Sequence, residues 1–170
     1  MRFWANLLGY QLVWFCAVIG AGRGLAWPGV ATALAFITGH LACSNQRRAD
    51  VKLAVAALLC GSLLDGSLSW LGWSVYAADA WPAPLWILAL WACFALTLNH
   101  SLAYLRQHPW LACVFGAVGG PMAYWAAARG WQAVHFDAPA WRATAALAVG
   151  WGCILPVLAT RAQRWTREAA

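Results

Sequence analysis

The sequence has little charge: only 9% of its 170 residues are charged, and just five are acidic. In soluble globular domains about a quarter of the residues are charged, because their surface is hydrated. Apolar residues instead make up 64% of the chain, and 14 residues are tryptophan. This composition excludes a soluble globular domain and predicts an integral membrane protein.

The sequence also lacks the motifs that hold common cofactors. It contains no glycine-rich dinucleotide fingerprint, no Walker loop and no zinc-type ligand spacing. Its six cysteines form no CxxC pair, so we expect them to act as small apolar packing residues. The basic residues do not alternate with aromatic ones along a surface that would follow a phosphate backbone. We therefore predict no cofactor and no nucleic-acid partner.

Six apolar stretches fill most of the chain. A helix of about 20 residues crosses the hydrocarbon core of a bilayer, which is about 30 Å thick. Prolines at 28, 84, 109 and 139 stand at or just before the starts of stretches, where a missing amide hydrogen costs little. The chain is thus predicted to be all-α, a single six-helix transmembrane domain over residues 1–170. The predicted spans are 3–22, 27–44, 51–73, 84–105, 109–128 and 141–160.

Basic residues are distributed unevenly between the two sides of such a bundle. One side would carry Arg2, Arg47, Arg48, Lys52, Arg106, Arg161, Arg164 and Arg167, and the other only Arg23, Arg129 and Arg142. Lysine and arginine are enriched in cytoplasmic loops. This asymmetry predicts that both termini are cytoplasmic, in a multi-pass protein of a bacterial inner membrane.

Several polar residues lie at a similar predicted depth in the cytoplasmic half of the bundle: Asn6, Gln11, His40, Asn99 and His100. If their helices are neighbours, they would form a polar pocket open to that side. Alternatively, each side chain hydrogen-bonds across a helix contact, which stabilises membrane bundles by about 1 kcal/mol or less per bond. The sequence leaves both interpretations open.

Asp65 is the only carboxylate well inside a predicted span, and Ser62, Ser69 and Gly61 share its helix face. An intramembrane aspartate is a functional candidate because an unpaired charge in lipid is costly. If the protein is catalytic, we expect Asp65 to transfer protons and Asn99 and His100 to orient the substrate. A structural alternative pairs Asp65 with an arginine, Arg23 or Arg129.

Metal and triad chemistry find little support in the sequence. Zinc sites need three or four ligands held together, and one aspartate with His40 and His100 at different depths does not supply them. A triad of Asp65, His100 and Ser101 is disfavoured because adjacent helical residues point about 100° apart. No metal site is therefore predicted.

The fifth span contains a glycine-rich segment with an internal proline: Gly116, Gly119, Gly120 and Pro121. Glycines four residues apart let another helix approach closely. A proline inside a helix removes one backbone hydrogen bond and can kink it. We predict a helix-packing role for this segment, and we count the nearby Tyr124 among the polar-pocket candidates.

Several segments together carry a resemblance to a known family: Asn6 and Gln11 ahead of Trp14 and Phe15, Leu64-Asp65, Leu98 to Leu102 with Tyr104-Leu105, and Gly119-Gly120-Pro121 with Tyr124. Over essentially the whole chain they resemble the bacterial membrane proteins with domain of unknown function 2878. Members of that family are encoded beside methyltransferases similar to cyclopropane-fatty-acid synthase. The resemblance implies a role connected with membrane lipids.

Three functional hypotheses follow. The leading one is an inner-membrane protein that supports acyl-lipid modification or handling, with membrane lipids and lipid-modifying enzymes as partners. The second is a small proton-coupled transporter or flippase with Asp65 as the proton carrier. The third is a non-catalytic scaffold that recruits lipid-modifying enzymes through Arg47, Arg48 and the basic tail from Arg161 to Arg167. Whether the protein is an enzyme is left open.

Overall fold

Helices account for most of the computed structural model, which describes residues 3–78 and 83–168. Within these residues there are six α-helices: α1 (Phe3–Gly22), α2 (Trp27–Cys43), α3 (Arg47–Trp70), α4 (Leu85–Thr97), α5 (Pro109–Trp131) and α6 (Trp141–Glu168). A 3-10 helix covers Ala103–Gln107, and two short antiparallel strands, β1 (Ser74–Tyr76) and β2 (Val134–Phe136), pair with each other. Helices α1, α3, α5 and α6 are long and apolar enough to cross a membrane.

The ends of the helices follow from local sequence. Pro28 and Pro109 stand in the first turns of α2 and α5, where a proline has no hydrogen bond to lose. The turns after α1 and α3 contain Gly24 and Gly72, with φ of 75° and 68°. Glycine adopts such left-handed conformations without the steric penalty that a Cβ brings. The turns between helices are therefore encoded locally.

The distribution of apolar side chains is the reverse of that in a soluble protein. Large apolar residues cover the outside, among them Leu63, Trp70 and Val149, whose exposed fractions are 73%, 83% and 67%. Asn6 and His40, by contrast, are buried. An apolar exterior around a partly polar interior is typical of proteins that lie in a membrane.

Helix α4 is the central helix of the bundle. It packs against α1, α2 and α3, and the residues from Trp91 to Thr97 are all buried. A helix that is apolar on every side is expected to be buried on every side. Its neighbours therefore enclose the second half of α4, whereas Leu85 at its start is exposed.

The fourth predicted span differs most from the structure. Helix α4 has 13 residues, which at about 1.5 Å each extend only about 20 Å. It ends at Thr97, where the prediction continued to Leu105 because Leu98, Leu102 and Leu105 keep the hydropathy high. Residues 98–102 instead form turns. Such irregular backbone is tolerated at membrane depth only where protein or a water-filled cavity surrounds it.

The other predicted spans have shifted limits. Helix α3 begins at Arg47, four residues before the predicted start, and α6 continues to Glu168, eight residues past the predicted end. Helix α2 ends at Cys43 and α5 at Trp131. The earlier start of α3 brings Asp50 into its first turn.

Successive helices run in alternate directions. Asn6 near the start of α1 contacts His40 near the end of α2, and Thr166 near the end of α6 contacts Gln46 just before α3. We call this end of the bundle the basic end, because Arg47, Arg48, Lys52, Arg106 and Arg161 to Arg167 lie there. The opposite end, which holds β1 and β2, is the strand end. The first and last helices thus begin and finish at the same end of the molecule.

Candidate functional site

Asp50 is the centre of a buried polar cluster at the basic end. Its Oδ2 accepts hydrogen bonds from Ser44 Oγ at 2.5 Å and lies 3.3 Å from His40 Nε2. Its Oδ1 accepts one from Asn99 Nδ2 at 2.8 Å. We define the Asp50 cluster as Asn6, His40, Ser44, Asp50, Asn99 and His100. It joins residues from α1, α2, α3 and the turns after α4, so only the folded bundle creates it.

Asn6 connects this cluster to the irregular segment after α4. Its Oδ1 accepts hydrogen bonds from the backbone amide and the hydroxyl of Ser101, at 3.2 and 2.5 Å. Its Nδ2 therefore faces His40 Nδ1, at 3.4 Å. Because an amide nitrogen can only donate, Nδ1 acts as an acceptor and the imidazole proton lies on Nε2, toward Asp50. Asn6 thus selects one tautomer of His40.

His100 completes the cluster next to His40. The two imidazole rings meet edge to face with their centroids 4.4 Å apart. His100 Nε2 lies 3.8 Å from Asp50 Oδ2 and makes no hydrogen bond to any residue that the structure describes. Its side chain is 14% exposed, whereas those of His40 and Asp50 are fully buried. His100 therefore lies between the cluster and the surface.

A second layer of polar contacts ties Asn99 to the end of α6. Asn99 Oδ1 accepts hydrogen bonds from Arg106 and from Thr166, both at 3.2 Å. Thr166 also lies 3.3 Å from Gln46 Oε1. Partial burial lowers the pKa of the Arg106 guanidinium, while the nearby Asp50 carboxylate acts in the opposite direction. Asn99 thus lies between the Asp50 carboxylate and the Arg106 guanidinium.

The sequence predicted part of this cluster. The structure brings Asn6, His40, Asn99 and His100 together, whereas Gln11 lies elsewhere, on the wall of an apolar cavity. Asp50 was missed because its position among Arg47, Arg48 and Lys52 resembles a hydrated loop. One signal was available. Asp50 continues the helical spacing of the buried α3 residues Leu53, Ala57 and Gly61 one turn toward the N-terminus.

The position of Asp50 changes the interpretation of His40 and His100, for which no metal site was predicted. That prediction considered Asp65 as the carboxylate and placed it at a different depth from the histidines. In the structure His40, Asp50 and His100 each offer one ligand atom, and these atoms all lie within 4.8 Å of one another. Two imidazoles and a carboxylate are a common donor set for transition metals.

Asp65 lies near the strand end, in a separate buried cluster. Its Oδ1 accepts hydrogen bonds from Tyr76 at 2.9 Å and Tyr124 at 2.7 Å, and its Oδ2 accepts one from Trp91 Nε1 at 2.7 Å. These donors are uncharged. Among the described residues no arginine pairs with Asp65, so the predicted pairing with Arg23 or Arg129 is wrong. The Arg129 guanidinium instead lies 4.9 Å from the centre of the Trp125 ring.

The predicted catalytic set does not form one site. Asp50 and Asp65 are fifteen residues apart on α3, which corresponds to about 22 Å along the helix axis. Asn99 and His100 lie beside Asp50 and therefore do not meet Asp65. Tyr124, predicted as part of the polar pocket, belongs to the Asp65 cluster.

A cavity of about 390 Å³ lies between α1, α4, α5 and α6. Its wall is mostly aromatic and aliphatic, and it includes Trp91 and Tyr124, which donate to Asp65. Gln11, Phe15 and Phe115 also line it and are exposed on the outer surface. The cavity therefore opens sideways, between α1 and α5. Its size falls within the range of small-molecule sites, about 300–1,000 Å³.

The glycines Gly116, Gly119 and Gly120 of α5 all line the cavity, but they differ in how closely they contact α6. A Cβ at Gly116 would overlap the backbone carbonyl of Trp151, and one at Gly120 would lie 2.5 Å from the Trp151 ring, so both glycines allow α6 to pack closely. Gly119 does not share this role, because a Cβ there would have its nearest neighbour at 3.9 Å. Pro121 is buried within α5, which continues through it to Trp131.

Comparison with known proteins identifies the family. No curated protein matches this chain, and no solved structure matches it. One family model, described as protein of unknown function DUF2878, matches residues 3–157. That match covers all six helices except the last turns of α6. The chain is therefore a member of the DUF2878 family.

Proposed function

We propose that this protein crosses the membrane six times and binds the hydrocarbon chain of a membrane lipid in the cavity between α1 and α5. The observation that supports this proposal is the sideways opening of an apolar cavity on the outer surface of the bundle. A cavity that opens to the side of a membrane protein is accessible from the lipid phase. This proposal keeps one step of the lipid-handling hypothesis, the binding of a lipid chain, because the geometry of the cavity supports that step.

The wall of the cavity suits a hydrocarbon chain better than a polar solute. Within the bilayer, lipid tails are as apolar as the wall, so a chain gains little from hydrophobic burial and is selected by shape and close packing. Large rings such as Trp14, Trp86 and Trp151 supply rigid surfaces for this packing. The Gln11 amide adds a polar group for the more polar part of a lipid.

Asp65 positions two aromatic side chains of the cavity wall, Trp91 and Tyr124. It accepts hydrogen bonds from Trp91 and Tyr124, and Trp91 in turn stacks on Trp151 with centroids 4.0 Å apart. A buried acceptor with several donors limits the orientations that those side chains adopt. We assign Asp65 a positioning role in the proposed lipid site.

Filling the cavity tests the proposal. We expect Gly119→Phe to lower the binding of a photoreactive fatty-acid probe or phospholipid probe in proteoliposomes about tenfold or more. The added ring would occupy the cavity, and a Cβ at this position meets no neighbour closer than 3.9 Å. The measurement is the yield of probe crosslinked to the purified protein.

The matched control is Gly130→Phe, on the same helix. Gly130 is exposed, and a Cβ there has no atom within 4 Å. We expect this variant to retain wild-type crosslinking. Equal crosslinking of the Gly119→Phe, Gly130→Phe and wild-type proteins would show that the cavity does not hold the lipid chain.

The proposed orientation places the basic end in the cytoplasm of a bacterial inner membrane, as the excess of basic residues there favours. In a cysteine-free variant, we expect Arg164→Cys to resist a membrane-impermeant thiol reagent added to intact cells. Arg23→Cys, at the opposite end of α1, should react with it. The reverse pattern of labelling would contradict the orientation.

A second candidate function is proton-coupled transport. Two observations favour it: two buried carboxylates on α3, and the turns that follow the early end of α4 beside the Asp50 cluster. Discontinuous helices next to buried charged groups form the ion sites of several transporter folds. A proton flux across proteoliposomes that depends on substrate and disappears in Asp50→Asn would favour transport.

A further inference from the structure

We propose that His40, Asp50 and His100 bind a divalent transition-metal ion, of which Zn²⁺ is the representative. This site lies at the basic end of the bundle, away from the residues that line the proposed lipid cavity. It is independent of the lipid-binding proposal, and either can fail without the other.

The distances between the ligand atoms suit one ion. Asp50 Oδ2 lies 3.3 Å from His40 Nε2 and 3.8 Å from His100 Nε2, and all three atoms lie within 4.8 Å of one another. In a tetrahedral site with metal–ligand bonds of about 2.0–2.1 Å, ligand atoms are about 3.3 Å apart. A small inward movement of His100, the most exposed of the three side chains, would complete this geometry.

The environment of His100 Nε2 suits a bound cation. This nitrogen is buried and makes no hydrogen bond to the described residues, although it faces Asp50. An unsatisfied buried polar atom costs about 1–3 kcal/mol. A metal ion shared with Asp50 and His40 would satisfy this nitrogen.

Two neighbouring residues already hold the Asp50 carboxylate in place. Ser44 donates to the same carboxylate oxygen that faces the histidines, and Asn99 donates to the other oxygen. Metal ligands are commonly oriented by hydrogen bonds from neighbouring residues, and changing those neighbours lowers metal affinity about 10–100-fold. Arg106 opposes cation binding, but Asn99 stands between it and the carboxylate.

Asn6 gives the proposal a specific consequence. A histidine that binds a metal through Nε2 carries its proton on Nδ1 and donates it to an acceptor. Asn6 now presents Nδ2 to that atom, so metal binding requires its amide to turn over and lose the hydrogen bond from the Ser101 amide. An aspartate at this position would accept from both groups without turning. We therefore expect Asn6→Asp to bind the metal more tightly than the wild type.

The test uses the full chain in detergent, stripped with a chelator and then titrated with Zn²⁺ or Co²⁺. We expect about one bound ion per chain by mass spectrometry of the metal, and a visible absorption band from bound Co²⁺. His100→Gln should lower the affinity for the metal by more than about 100-fold, because changing even a residue that only hydrogen-bonds to a ligand lowers it about 10–100-fold. The matched controls are His108→Gln and His135→Gln, which change a partly buried and an exposed histidine outside the cluster.

His100→Gln is the main variant because the His100 Nε2 makes no hydrogen bond within the described residues and the backbone hydrogen bonds at this position do not depend on the side chain, so the variant is expected to fold. The thermal unfolding temperature gives a second readout: Zn²⁺ should raise it in the wild type and in both controls, and leave it unchanged in His100→Gln. Substoichiometric metal in the wild type, or equal affinity in His100→Gln and the wild type, would overturn the proposal.

Discussion

Replacing Asp65 with alanine is expected to lower the free energy of unfolding by about 3 kcal/mol or more. The substitution removes the carboxylate that accepts hydrogen bonds from Tyr76, Trp91 and Tyr124. Leaving a buried donor without its acceptor costs about 1–3 kcal/mol. Asp65 is also fully buried, so water does not readily replace it.

The measurement is reversible unfolding in mixed detergent micelles, followed by tryptophan fluorescence. Asp137→Ala is the control, because Asp137 is an exposed aspartate near the same end of the bundle; it should change stability by less than about 0.5 kcal/mol. Tyr124→Phe removes one of the three donors and should have an intermediate effect. If Asp65→Ala and Asp137→Ala unfold at the same denaturant concentration, the Asp65 cluster does not stabilise the fold.

Two alanine substitutions on α5, three residues apart, are expected to have opposite effects. Gly116→Ala should destabilise the protein by about 2 kcal/mol, because its Cβ would overlap the backbone of Trp151 and force α5 and α6 apart. Gly119→Ala should stabilise it by about 0.5–1 kcal/mol, since alanine restricts the unfolded chain and favours the helix. At Gly119 a Cβ meets its nearest atom at 3.9 Å.

This pair isolates packing from helix propensity, because both substitutions make the same chemical change in the same helix. The same unfolding assay measures both variants. Equal changes in stability at the two positions would mean that the contact between Gly116 and Trp151 does not determine how α5 and α6 pack. Lipid crosslinking to Gly119→Ala provides a further check, since a methyl group should occupy only a small part of the cavity.

The sequence predicted which segments form helices more reliably than it predicted where they end. Six apolar stretches became six helices, and prolines such as Pro28 and Pro109 lie at their starts. The predicted fourth span was too long, because hydropathy is the same whether Leu98, Leu102 and Leu105 lie in a helix or in turns. The short pairing of β1 with β2 was not predicted, since each strand has only three residues.

The positions of the polar residues were also predictable only in part. Depth along each helix could be counted from the sequence, and Asn6, His40, Asn99 and His100, which were grouped by depth, lie together in the structure. Depth does not determine which way a side chain faces, so Gln11 was placed with them although it lines the cavity. Asp50 escaped notice because its sequence neighbours are basic, while its neighbours in space are His40, Ser44 and Asn99.

The sequence by itself determined the membrane-like composition, the helices and the separation of basic from apolar segments, because these properties depend on residues that are close along the chain. The tertiary structure alone decided that Asp50, and not Asp65, meets the two histidines. It also decided that Asp65 is held by uncharged donors and that a cavity opens between α1 and α5. These features depend on how helices rotate and pack against one another, since contacts such as that between Asn6 and Ser101 join residues 95 positions apart.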